Sequence, residues 1–321
     1  MRWAIFLSGV CLLSAVAGAC DRCGCSSGGS SCGGASGITA SDDAGEYKWS
    51  LDTSFDYRNF KRRPDAESHA IVERGRDTHS FLDDILVTER LGYKVTNDLD
   101  VGVTQGFRRL RKTEIEDEDH LGLHEFSEGA TDLEFDIKWR FKQQKDDGFP
   151  VDLAVFGHVS VPTGTHRNRT KLGDLFETEE QPGTGGVEGT GGLAASKRWG
   201  LWGASGAVSY SIKGEGVQRF KEGNSFRASL SAARQLTPAT LSWKVYASLG
   251  VQGLVEQKAV DHGSKSPDHG GQTIFVLPGI SAQPLSRLNL SVNGSVPVYQ
   301  EQNGFHQHQN YGVQCNVGIR F

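Results

Sequence analysis

The chain has 321 residues, a formal net charge of −5, 37% hydrophobic and 9% aromatic residues, 41 glycines and one methionine. So turn-rich a composition describes an all-β chain rather than a helical one. The mild charge, with no basic stripe carrying interleaved aromatics, excludes a nucleic-acid partner, and no stretch approaches the ~20 apolar residues that a membrane helix needs.

Met1 and Arg2 precede an apolar run from Trp3 to about Ala17 and the small residues Ala17, Gly18 and Ala19. Residues 1–19 are therefore expected to be a secretory signal peptide, and the chain to be exported. Residues 20–45 are rich in Cys, Gly and Ser and offer almost nothing to bury, which predicts a flexible periplasmic segment. Its four cysteines, Cys20, Cys23, Cys25 and Cys32, fit three chemistries. They could form two disulfides in an oxidising compartment, or bind a soft metal or cluster as thiolates. Alternatively, Cys20 is lipidated after Ala17-Gly18-Ala19, which would remove it from any ligand set.

From Tyr47 the pattern changes. Tyr47, Trp49, Leu51, Thr53, Phe55 and Tyr57 alternate with Lys48, Ser50, Asp52, Ser54, Asp56 and Arg58, the signature of a strand with one apolar and one wet face. Similar segments lie near residues 81–95, 99–109, 133–141, 151–161, 187–196, 202–212, 225–236, 241–255, 272–282, 288–298 and 311–321. Short turns are expected at 96–98, 198–200, 237–239 and 284–286, with a longer one at 142–150. Long polar loops are expected at 59–80, 110–130, 164–186, 213–224, 256–271 and 300–309. Short turns at one end and long loops at the other are the habit of outer-membrane barrels, as is an even strand count. The fold class expected over residues 46–321 is thus all-β, a single transmembrane antiparallel β-barrel of about twelve strands. It would sit in a Gram-negative outer membrane, against outer-membrane lipid and lipopolysaccharide.

A Lys or Arg facing lipid at mid-membrane costs roughly 2–4 kcal/mol, so one parity of each strand should avoid charge, and largely it does. Leu99, Val101, Val103, Gln105 and Phe107 oppose Asp100, Gly102, Thr104, Gly106 and Arg108; Leu133, Phe135, Ile137, Trp139 and Phe141 oppose Asp132, Glu134, Asp136, Lys138 and Arg140. The lumen-lining candidates are Asp52, Asp56, Arg108, Asp132, Glu134, Asp136, Arg140 and Lys244, with small residues such as Ser205, Ser209, Ser291 and Ser295 on other strands. Eight strands give a bore that side chains fill and sixteen leave a water channel; twelve lies between. Either a narrow hydrated passage carries small solutes, or the charges pair across the bore and plug it. The plugged barrel would be a scaffold or conduit whose Cys-rich segment docks a periplasmic redox or metal protein.

Four runs carry a resemblance: GATDLEFDIKWRF (129–141), VSVPTG (159–164), LPGISAQPLSRLNLSVNGSVPVYQ (277–300) and YGVQCNVGIRF (311–321). In this order and at these spacings, over about residues 91–321, the chain resembles the outer-membrane transporters called the MetA-pathway of phenol degradation family. That resemblance implies a channel or transporter, with small aromatic or other hydrophobic solutes as cargo. Singly, Asp-Leu before a strand and Pro-Thr-Gly after one are turn chemistry. The closing strand, with Tyr311, Val313, Cys315, Val317, Ile319 and Phe321 on one side, resembles the terminal strand of outer-membrane barrels, whose final aromatic is read by the barrel-assembly machinery. Cys315 is then a lipid-facing apolar residue.

The remaining chemistry lies in loops. His262, His269, His306 and His308 are either solvated or placed for metal capture at the extracellular mouth. The acidic run at residues 114–119 is a solvated loop or a site for cations bridging lipopolysaccharide. His158 and Ser160 have the spacing of a nucleophile and its base, but they share the wet face with Asp152 and no oxyanion hole is legible. No enzymatic activity and no cofactor are expected.

Overall fold

The computed structural model describes residues 47–62, 79–114, 123–144, 150–171, 173–304 and 307–321. The expected signal peptide, the segment with Cys20, Cys23, Cys25 and Cys32, the acidic run beyond Glu114 and His306 lie outside the described residues.

Alternating residues make strands, and the chain is built of them: β1 (Trp49–Phe60), β2 (His79–Lys94), β3 (Leu99–Glu114), β4 (Leu123–Ala130), β5 (Leu133–Lys142), β6 (Asp152–Val161), β7 (Glu188–Trp199) and β8 (Trp202–Lys213). Then follow β9 (Phe220–Lys221), β10 (Ser225–Gln235), β11 (Lys244–Glu256), β12 (Val260–Asp261), β13 (Ser264–Lys265), β14 (Gly271–Leu285), β15 (Leu288–Gln302) and β16 (Gln309–Arg320). All pairings are antiparallel, and the sheet closes because β1 pairs with both β2 and β16 while β2 also pairs with β3. β4 and β5 share one position in the wall. β4 lies along the outer part of β3 and β5 along its inner part. The result is a closed twelve-stranded antiparallel barrel, in which the side of β4 away from β3 has no strand partner among the described residues. At the seam, Trp49 and Phe321 exchange backbone hydrogen bonds of 2.9 and 3.0 Å.

The outer face is apolar and the inner face polar. Leu230, Val298, Leu249 and Ile212 are more than half exposed, whereas Asp56, Thr88, Arg90, Thr104 and Arg108 are buried, the reverse of a water-soluble domain. All five tryptophans of the barrel, Trp49, Trp139, Trp199, Trp202 and Trp243, sit beside the short turns. Tyr57 and Tyr311 meet at 6.1 Å toward the loop end. Trp49 to Tyr57 spans eight residues of β1, which on a tilted strand is roughly 20 Å of height, close to the apolar band of a membrane barrel. Among the described residues the outward face carries Glu89, exposed and paired across the sheet with Thr53 and Gln105, and, near the tryptophans at the turn end, Lys197 and Arg234, the latter 5.3 Å over the Trp202 ring.

Two segments differ from the sequence expectation. Residues 110–130 are not all loop, since β3 runs to Glu114 and β4 begins at Leu123. Above the apolar band a strand can carry charge on both faces, so alternation fades while the ladder continues. Arg109 pairs with Glu128 at 3.4 Å and stacks over Phe126 at 4.4 Å, and Arg111 pairs with Asp83. Residues 241–243 are turn rather than strand, and β11 starts at Lys244. Leu241 and Trp243 look like strand residues by their hydrophobicity because they face the girdle beside the turn.

Candidate functional site: a lumen with a charged wall and an inserted loop

The lumen is set by where charge is held. On β2, Arg90 reaches over β3 to Asp136 of β5 with a two-pronged hydrogen bond of 2.9 and 2.6 Å, and lies 3.7 Å from Asp52 of β1. Gly102 of β3 makes this crossing possible. A Cβ there would stand 2.5 Å from both Arg90 Nη2 and Asp136 Oδ1. Nearer the loop end, Asp84 of β2 accepts from Arg58 of β1 at 2.8 Å and from Arg108 of β3 at 2.8–3.1 Å. The lower cluster thus carries two carboxylates for one guanidinium, and the upper cluster two guanidiniums for one carboxylate. Asp56 lies buried on the same face between the two.

All of these residues belong to β1, β2, β3 and β5, so charge pairs along one side of the wall and not across the bore. At mid-height the opposite side carries hydroxyls and small residues, while the buried Lys213 of β8 and Arg227 of β10 bring charge to its loop end. Thr190 and Ser211 are hydrogen-bonded at 2.6 Å, Ser205 and Ser231 at 2.9 Å, and Asn316 donates to Ser291 at 3.1 Å. Of the remaining candidates, Glu134 lies on the inner face at the start of β5. Arg140 donates to the carbonyl of Asn97 in a short turn at 2.6 Å, and Lys244 opposes Gln283 at the turn end. Arg140 and Lys244 therefore mark the rim rather than the middle. His158 and Ser160 occupy the inner face of β6, opposite Asp136 and Glu134 of β5.

The second feature is one that the strand pattern does not announce. The loop between β6 and β7, expected to be extracellular, turns into the barrel. Between Thr104↔Glu134 and Phe107↔Ala130, two residues of β3 oppose three of the neighbouring chain, a β-bulge at Thr131, Asp132 and Leu133. The bulge aims Asp132 inward, where it accepts the backbone N–H of Gly164 at 2.8 Å and both the N–H and the hydroxyl of Thr184 at 2.7 and 2.9 Å. Both ends of the loop are thereby tied to one carboxylate. The Thr163 hydroxyl accepts the N–H of Leu133 at 2.9 Å and donates to the carbonyl of Val161 at 3.4 Å. The motifs around Asp132 and Pro162-Thr163-Gly164, which singly read as turn chemistry, are thus two halves of one anchor.

Inside, the loop is held at three levels. Along the otherwise unpaired edge of β4, Ala130, Glu128 and His124 offer carbonyls to Thr165 N, Asn168 Nδ2 and Lys171 Nζ at 2.9, 2.9 and 2.7 Å, which protects that edge. Arg108 Nη1 donates to the carbonyls of Glu179 and Gln181. Lys112 Nζ donates to Glu180 Oε2 at 2.9 Å, with the lysine 1% and the glutamate 0% exposed. The buried Phe176 lies 4.8 Å under the same ammonium. Removing one member of such a pair would strand a buried charge, which is what fixes the loop's position.

Above it, a cap of loops completes a vestibule of about 1130 Å³, open solvent included. β9 and β12 pair there, joining the loop after β8 to the loop after β11. Arg58, Asp84, Arg108, Glu179 and His269 are among its lining residues. His269 lies 3.3 Å from Glu179, and Ser266 Oγ is 2.7 Å from its Nδ1. Burial disfavours its charged form, but the hydrogen bond and charge of Glu179, with Glu177 and Asp268, outweigh this and hold the imidazole above its ordinary value. His262 pairs with Asp261 at 2.7 Å and is exposed, as is His308, so among the described residues His262, His269 and His308 are not gathered into one cluster.

No protein-family profile and no curated protein matches the sequence. Solved structures similar to the chain include the β domain of the Bordetella autotransporter BrkA, at 11% identity and a TM-score of 0.49, covering 86% of this chain and 100% of that one. The NanC porin is similar at 7% identity and a TM-score of 0.43, covering 85% and 98%, and the CymD monoaromatic hydrocarbon channel at 8% and 0.40, covering 87% and 90%. At these identities and TM-scores the likeness says nothing of activity.

Proposed function

We propose that the protein is an outer-membrane channel that passes small solutes through a narrow polar lumen and performs no chemistry on them. The observation that carries this is the placement of the charges. Arg90, Asp136, Asp52, Arg58, Asp84 and Arg108 satisfy one another along β1, β2, β3 and β5, which leaves a hydroxyl-lined side facing them across the bore. A charged wall opposite a hydroxyl-lined one at mid-height sets a field transverse to the path there, suited to orienting a small dipolar solute. The short-turn end, with its tryptophans, is the periplasmic end, and β16 with Phe321 is the strand offered to the barrel-assembly machinery.

The carrying experiment is single-channel conductance of the refolded chain in a planar lipid bilayer. Discrete ion-selective steps support a channel. Silence from correctly folded protein would sink it and favour a scaffold acting through the Cys-rich segment, whose deletion would then abolish function without touching conductance.

A further inference from the structure

Three loops meet at the mouth of the barrel around three donor groups. Glu177 and Glu179 stand on the inserted loop, His269 on the loop before β14, and their ligand atoms all lie within 4.8 Å of one another. Each is held from outside the group. Arg108 bonds the carbonyls of Glu179 and Gln181, which fixes the Thr178–Glu180 turn. Glu177 N donates to Glu180 Oε2 at 3.2 Å, so the residue preceding that turn is fixed with it. Ser266 Oγ contacts His269 Nδ1, and Phe220 from the loop after β8 packs edge-on against the imidazole at 5.2 Å.

The imidazole is turned so that Nε2 faces the carboxylates, 3.3 Å from Glu179 Oε2. With Nδ1–H given to Ser266 Oγ, the Nε2 lone pair faces a carboxylate oxygen at that distance, and either a proton or a metal cation between them relieves the repulsion. Two ligands at ~2.1 Å from a tetrahedral ion stand about 3.4 Å apart, the spacing seen here. Glu177 offers a third oxygen within the same 4.8 Å, which leaves one position of a tetrahedral ion open to water or solute.

We propose that Glu177, Glu179 and His269 form a divalent transition-metal site, suited to zinc, that clamps the inserted loop to the cap of the barrel. The donor set of one imidazole and two carboxylates suits zinc over the hard, all-oxygen cages that calcium and magnesium prefer. A proton on Nε2 fills the same gap as the metal, so acid and zinc compete. The site stands apart from the channel proposal, because it is measured by binding and not by conductance.

The test is calorimetric titration of zinc into the refolded full chain in detergent, its cysteines carboxamidomethylated so that thiolates cannot contribute. Heat-modifiable gel migration confirms that each variant is folded. The wild type should bind one zinc that weakens by about tenfold or more in His269→Gln and in Glu179→Gln, and is kept in His262→Gln. Zinc should also protect the 164–186 loop from protease in the wild type but not in His269→Gln. Binding should weaken as the pH falls from 7 to 5, as proton competition requires. No zinc binding by the wild type, or binding and protection unchanged in His269→Gln, would overturn the site.

Discussion

The carboxylate of Asp132 accepts the backbone N–H of Gly164 at 2.8 Å, joining positions 32 residues apart. Around that bond the chain changes from wall to lumen. The pairing of Leu133 with Val161 brings the bulge beside the loop that leaves β6, and the Asp132 carboxylate turns that proximity into an anchor. Gly164 has no room for a side chain, since a Cβ would meet Thr131 C at 2.6 Å and the carbonyl of Ala130 at 2.8 Å.

Asp132→Ala removes the acceptor for three donors at once. Hydrogen bonds to a charged group contribute about 1.5–3 kcal/mol each when their loss strands a buried donor. The loop should therefore leave the lumen while the barrel survives. Expected outcomes are rapid proteolysis within 164–186, unchanged heat-modifiable migration and a rise in conductance. Gly164→Ala should reproduce all three through its clash. A loop that stays protease-resistant in Asp132→Ala would show that the anchor is dispensable.

Gly102→Val places bulk where the Arg90–Asp136 pair crosses β3, with the first added carbon already at 2.5 Å from both partners. Separating a largely buried pair costs about 3–5 kcal/mol. The variant should unfold at lower denaturant concentration than Gly253→Val, whose added Cβ meets nothing within 4 Å. Equal midpoints for the two would contradict the crossing.

Asp84→Asn leaves the guanidiniums of Arg58 and Arg108 without their shared carboxylate. The upper lumen gains positive charge, so reversal-potential measurements in a salt gradient should move toward anion selectivity, by an amount that shrinks at high ionic strength. Arg108→Met should move selectivity the other way, toward cations.

The contact between His269 and Glu179 has a defined pH dependence. The folded imidazole titrates above its ordinary value of about 6.5, so its contribution is complete below that value and is lost as pH rises through the folded pKa. In chelator, the protection of cap-loop amides, corrected for the base-catalysed rise of intrinsic exchange, should fall as the pH rises above the ordinary histidine value, and in His269→Gln it should be flat over the same range. A wild-type profile as flat as the variant's would remove the ion pair from the account.

Leu230→Arg tests the membrane face. Leu230 is 66% exposed on the outer face of β10, and an arginine at such a depth costs roughly 2–4 kcal/mol in lipid. Refolding into bilayers should be impaired far more for this variant than for Ser229→Arg, which points into the bore. Equal effects would mean that the two faces have been assigned the wrong way round.

The sequence alone determined the sheet and its two faces. A period of two over about ten residues admits only a strand, and in a barrel the face that can carry charge must be the inner one, because lipid cannot solvate it. Strand number, turn positions and the inward parity of Asp52, Arg108, Asp132 and Asp136 follow from that rule alone. The rule stops at the edge of the apolar band, which is why β4 and the outer half of β3 look like loop, and it is blind to Glu89. Only the tertiary structure decided what fills the bore. The insertion of residues 164–186, the joining of Asp132 to Gly164, the burial of Lys112 with Glu180 and the meeting of Glu177, Glu179 and His269 are all contacts between segments far apart in sequence. No local periodicity encodes them, because each depends on which stretches of chain the closure of the barrel brings face to face.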